Sequence, residues 1–76
     1  MGKASCEETL STYDLEGFAL AGLVKESSYI DCGKNKVRII LTLVDGKIVC
    51  SECLEKDIVE LSKRVIEFYK VNKIAR

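Results

Sequence analysis

The chemistry available to this chain is concentrated in four cysteines, Cys6, Cys32, Cys50 and Cys53, two of which stand three residues apart in Cys50-Ser51-Glu52-Cys53. A thiol near a helix start feels unpaired N–H groups and the positive end of the helix dipole, which favours the thiolate and with it disulfide exchange or metal binding. Glu52, between the two, opposes that ionisation. Taken together, Cys6, Cys32, Cys50 and Cys53 could also ligate zinc tetrahedrally. The spacing of Cys50 and Cys53 suits such a site, whereas Cys6 and Cys32 are separated by 25 residues. Two other readings stand beside it: a Cys50–Cys53 or Cys6-linked disulfide, and cysteines that are simply small core residues. There is no histidine. Its absence removes the commonest general base, every Ser-His or Cys-His nucleophile pair and every histidine-containing zinc site. No phosphate-binding loop, dinucleotide fingerprint or EF-hand loop is present either. No catalytic residue can be assigned, and the expectation is a protein that is not an enzyme.

The cysteine pair lies between two strongly patterned elements. Before it, Val37, Ile39, Leu41 and Leu43 alternate with Arg38, Ile40, Thr42 and Val44, and after Asp45-Gly46 a second strand begins at Lys47. Asp-Gly suits a two-residue type I′ turn. That turn would set Val44 opposite Lys47, Leu43 opposite Ile48, Thr42 opposite Val49 and Leu41 opposite Cys50. After the pair, Leu54, Ile58, Leu61, Val65 and Phe68 recur at helical spacing, broadened by Val59, Ile66 and Tyr69. The expectation is a long C-terminal helix running to about Asn72, with this stripe buried, acidic residues at its start and Lys70, Lys73 and Arg76 near its end.

Residues 1–10 show no period and read as a flexible end that becomes ordered only if Cys6 is tied down. Residues 11–76 form one α+β domain. Ser11-Thr12-Tyr13-Asp14 reads as a capping box, and the alanine- and leucine-rich stretch after it as a helix, despite Gly17 and Gly22. The alternative is a strand from Phe18 to Val24, which would give a ββββα order. Ser27 to Cys32 reads as a strand that turns through Gly33-Lys34-Asn35-Lys36 to meet Val37. Cys32 would then pair with Val37, Ile30 with Ile39 and Tyr29 with Ile40. The architecture is helix, three-stranded antiparallel meander, and a long C-terminal helix packed on one sheet face.

The order helix, three strands, helix is that of double-stranded RNA-binding domains. Such a domain grips phosphates through a basic run at the start of its second helix. Here that turn is the acidic Glu52-Cys53-Leu54-Glu55-Lys56-Asp57. The topology is similar and the binding chemistry is not.

The 76 residues carry 12 basic and 12 acidic side chains, which argues against wholesale capture by nucleic acid. The first 32 residues are net negative, and the positive excess falls on Lys34, Lys36, Arg38 and Lys47. Those four residues are the candidate nucleic-acid contacts. No apolar run is long enough to span a bilayer and no secretory leader is recognisable, so the sequence suggests a cytoplasmic protein without a membrane partner. A core this small calls for a metal, a disulfide or a second subunit. The second sheet face, expected to carry Tyr29, Ile40, Val44 and Val49, is too apolar to stay wet and is the candidate interface. The function expected is therefore a small binding module that associates with itself or with other proteins. A zinc-stabilised or thiol-redox module is the alternative, and nucleic-acid binding comes third.

Overall fold

Ser11 starts the first helix as its spacing implies: the Asp14 amide donates to Ser11 Oγ at 3.2 Å, satisfying one of the orphan donors of the first turn. The computed structural model describes residues 6–70, so Asn72, Lys73 and Arg76 lie outside the described residues. Its elements are β1 (Glu8–Thr9), α1 (Thr12–Leu20), β2 (Val24–Gly33), β3 (Lys36–Leu43), β4 (Ile48–Cys50), β5 (Leu54–Glu55) and α2 (Lys56–Tyr69). The helix, antiparallel meander, helix order is present, and the stretch read alternatively as strand is α1. That helix stops at Leu20 because Gly22, at φ 76°, takes the left-handed conformation that ends helices. β2 consequently starts at Val24, earlier than expected.

The strand order is β1-β4-β3-β2, with β5 paired to the beginning of β3. β1 runs parallel to β4 and the other pairs are antiparallel. Both hairpin registers differ from expectation by one residue. Between β3 and β4 the loop has three residues, Val44-Asp45-Gly46. Leu43 N donates to Lys47 O at 2.8 Å and Gly46 adopts φ 95°, as in hairpins whose turn is followed by a left-handed glycine. Leu41 therefore faces Val49 and Ile40 faces Cys50. The two-residue turn belongs to the other hairpin, where Lys34 and Asn35 have φ of 51° and 63°. There Tyr29 faces Ile39 and Ile30 faces Arg38, and a bulge between Asp31 and Gly33 contains Cys32.

Because side chains alternate along a strand, each one-residue slip exchanges the faces. Val49 goes into the core and Cys50 to the other face, while Tyr29 turns towards the helices and Ile30 away from them. One core joins Leu15 and Ala19 of α1, Val59 and Ile66 of α2, and Ile39, Leu41, Leu43 and Val49 of the sheet. Both helices therefore cover the same sheet face. Ile30, Arg38, Ile40, Thr42 and Ile48 share the opposite one.

The buried side of α2 also differs from the expected stripe. Val59, Ser62 and Ile66 are buried, while Ile58, Leu61 and Phe68 are exposed. Apolar residues occupy more of the circumference of α2 than one contact can bury. The side chosen carries the small Ser62, whose hydroxyl donates to Glu16 Oε2 of α1 at 2.7 Å. That bond lets α1 lie close alongside.

Candidate functional site

The four cysteines form two disulfides, Cys6–Cys50 and Cys32–Cys53, with Cα–Cα distances of 5.9 and 6.2 Å. Cys50 and Cys53 thus belong to different bridges. Of the readings left open by the sequence, the Cys6-linked disulfide is present and Cys50–Cys53 is not; the zinc alternative at Cys6, Cys32, Cys50 and Cys53 is corrected, because sulfurs bonded in pairs are not thiolate ligands. No cluster of three or more metal-ligating side chains occurs among the described residues. The strands explain the pairing. Parallel addition of β1 to β4 sets Thr9 opposite Cys50 and delivers Cys6 to the outer sheet face, to which the register has turned Cys50. The bulge at Cys32 and the return of residues 51–55 over the sheet end, where Leu54 pairs with Val37, bring Cys53 to Cys32.

The two bridges have different surroundings. Cys50 is fully buried, whereas Cys32 and Cys53 are exposed. Arg38 lies against the first bridge: its Nη2 is 3.2 Å from Cys50 Sγ, and its Nε donates to Ser51 O at 2.9 Å. Ser51 is itself buried and extends the β3–β4 ladder. Its amide N–H donates to Ile39 O at 2.9 Å, its Oγ accepts from Ile39 N–H at 3.0 Å, and its hydroxyl donates to Glu52 O at 2.7 Å.

The basic residues singled out in the sequence do not form one patch. Lys34 and Lys36 are exposed at one end of β3. Lys47 is at the other, roughly 20 Å along the strand direction, and pairs with Glu8 at 3.3 Å. Arg38 is engaged at Cys50 and Ser51. Of the residues expected at an interface, Val49 is buried in the core and Tyr29 faces the helices, both because of the register. Ile40 is half-buried on the outer sheet face, and Val44 is exposed in the hairpin loop.

Tyr29 instead joins a polar cluster between β2 and α2. Its hydroxyl donates to Glu67 Oε2 at 2.8 Å, Ser27 Oγ donates to the same oxygen at 2.6 Å, and Lys70 Nζ pairs with Oε1 at 3.0 Å. Lys63 Nζ sits 5.1 Å from the Tyr29 ring centroid, within cation–π range. Burial by itself raises the Glu67 pKa, but the bonds from Ser27, Lys70 and Tyr29 and the charge of Lys70 outweigh it and bring it down to about 2. Burial, with Glu67 adding to it, raises the Tyr29 phenol.

The surface that sequence reasoning missed is the outer side of the helical layer. Ile58, Leu61, Val65 and Phe68 recur at spacings of three and four along α2. Leu61 is 64% and Phe68 68% exposed, and Ile58 and Tyr69 are also open. On α1, Leu15 and Ala19 face the core, which leaves Tyr13 (83%) and Leu20 (58%) outside. A groove bounded by Leu10, Thr12, Leu54 and Ile58 continues this apolar strip between the starts of the two helices. A signal existed in the sequence: the apolar positions of α2 span two faces, and only one can meet the sheet. Charges along α2 are polarised, with Glu55, Asp57 and Glu60 against Lys56 at its start, and Lys63, Arg64 and Lys70 against Glu67 at its end.

Compared with known protein families, curated proteins and solved structures, the chain matches none. No helix among the described residues is long and apolar enough to cross a membrane.

Proposed function

We propose that this protein works by binding protein, and that its partner is a second copy of itself joined through the outer face of α2. The observation carrying this reading is the row of exposed Ile58, Leu61 and Phe68, joined by half-buried Val65, on a helix whose other side already fills the core. Exposed apolar rows of this length are uncommon on monomers and mark contact sites. Three-and-four spacing is that of a helix–helix seam. The charge polarity of α2 favours a copy of the same helix running antiparallel: the acidic start of each meets the basic end of the other, and the dipoles oppose. A parallel arrangement would align like with like. The antiparallel one is two-fold symmetric and closes at a dimer.

The two disulfides favour a setting in which thiols stay oxidised. The cytoplasmic location suggested by the sequence fits this reading only in a cytosol that tolerates disulfides, as in hyperthermophiles.

Sedimentation velocity tests the reading. A species of twice 8.5 kDa is expected for the unaltered protein and a monomer for Leu61→Glu, with Ile40→Lys, on the outer sheet face, remaining dimeric. An unaltered protein that stays monomeric at high micromolar concentration refutes self-association. Dissociation by Ile40→Lys but not by Leu61→Glu would move the contact to the sheet.

A further inference from the structure

The Cys6–Cys50 bridge is asymmetric in two ways that Cys32–Cys53 is not. Access is one-sided: Cys50 is fully buried, while Cys6 is partly open at the end of the described chain. Charge is one-sided too. The Arg38 guanidinium is fixed by its Nε bond to Ser51 O, at 2.9 Å, and this holds Nη2 3.2 Å from Cys50 Sγ. No carboxylate lies within ion-pair distance of Arg38 among the described residues. An arginine directed at a disulfide sulfur gains little from a neutral acceptor. It would gain far more from a thiolate.

We propose that Cys6–Cys50 is a thiol-exchange site, in which a small external thiol attacks Cys6 and Cys50 departs as a thiolate held by Arg38. In the step, the thiolate RS⁻ forms a bond to Cys6 Sγ as the Cys6–Cys50 bond breaks. The bonding pair leaves on Cys50 Sγ, and its charge is met by the guanidinium already in place. The product is a mixed disulfide, RS–S–Cys6, with no net oxidation. It is resolved either by return of Cys50 or by a second thiol, which yields RSSR and a Cys6 thiol. Burial would otherwise make Cys50 a poor leaving group, and the nearby cation offsets that, because exchange is faster when the departing thiol is more acidic. Opening the bridge removes the covalent tie on β1. The contacts that remain include the parallel pairing with β4, the Glu7 N to Ile48 O and Leu10 N to Cys50 O bonds at 2.9 and 2.7 Å, the Ile48 N to Glu7 Oε2 bond at 3.4 Å and the Lys47–Glu8 pair.

The test treats the oxidised full chain with reduced glutathione at neutral pH, quenches with N-ethylmaleimide, and maps both labels by peptide mass. Glutathione on Cys6 and maleimide on Cys50 are expected. Arg38→Gln should slow formation of the Cys6 adduct about tenfold, Arg38→Lys should recover part of the rate, and the opening rate of Cys32–Cys53 in the same sample should not move. Glutathione on Cys50 overturns the proposal. So does an Arg38→Gln variant that exchanges as fast as the parent, or one that changes both bridges alike.

Discussion

Protonating Glu67 should unfasten α2 from β2, and the size of the effect can be worked from its contacts. The carboxylate receives bonds from Ser27, Tyr29 and Lys70, and these lower its pKa from 4.5 to about 2 in the folded protein. A folded-state pKa below the unfolded value means that the stabilisation is complete above about pH 4.5 and is lost as the pH falls towards 2. Unscreened, a shift of this size corresponds to about 3 kcal/mol. The Glu67 side chain is 33% exposed, so solvent screening reduces it to about 1–2 kcal/mol. Glu67→Gln keeps an acceptor but loses the charge. The unfolding free energy of the parent should exceed that of Glu67→Gln by about 1–2 kcal/mol at pH 6, and the gap should close by pH 2. Urea titrations followed by circular dichroism at pH 6, 4, 3 and 2, with the disulfides intact, measure it. The other carboxylates titrate in both proteins and cancel in the difference. A gap that stays constant from pH 6 to 2 would refute the reasoning, because the stabilisation would then not depend on the charge of Glu67.

Two further outcomes concern the sheet end and its bridges. Ser51→Ala leaves the buried Ile39 N–H without its acceptor and should cost about 1–3 kcal/mol in urea unfolding; an unchanged midpoint would show that water replaces the hydroxyl. Removing the 21-residue bridge with Cys32→Ser and Cys53→Ser together should lower stability by about 3 kcal/mol from loop-closure entropy, read as a fall in the denaturation midpoint relative to the oxidised parent. No fall would mean that the unfolded chain is already compact around β2 and β3.

Element types could be read from the sequence because local patterns set them. Ser11 and Asp14 mark a helix start, Val37 to Leu43 alternate, and the charges of α2 order themselves along its axis. Register could not be read in the same way. Asp45-Gly46 serves equally as a two-residue turn or as the last two positions of a three-residue loop, and the difference of one residue exchanged Val49 with Cys50; in the other hairpin the turn tightened onto Lys34-Asn35, and the same one-residue difference exchanged Tyr29 with Ile30. That slip, with a β1 only two residues long and no period to announce it, hid the disulfide pairing. It also hid Arg38 beside Cys50, since a bond across strands is only as legible as their register. The Glu67 cluster was invisible for a related reason: Ser27 and Tyr29 stand 40 and 38 residues before Glu67 and meet it only once α2 has chosen a face. On α2 the pattern admitted more than one burial side, and the small Ser62 against α1 decided between them.

The interleaved pairing of Cys6–Cys50 with Cys32–Cys53 bears on how the oxidised protein is made. Four cysteines allow three connectivities, and chain proximity alone favours Cys50 with Cys53, the shortest loop. That pairing is absent from the native protein, whose bridges span 44 and 21 residues. Cys50 finds Cys6 only after β1 has docked beside β4, and Cys53 finds Cys32 only after β5 has returned to β3. In a reduced chain exposed to oxidant before the sheet has formed, Cys50–Cys53 is the kinetic product and must be reopened. The fold therefore selects the bridges: the native pairs are the ones that β1 beside β4 and β5 beside β3 bring together.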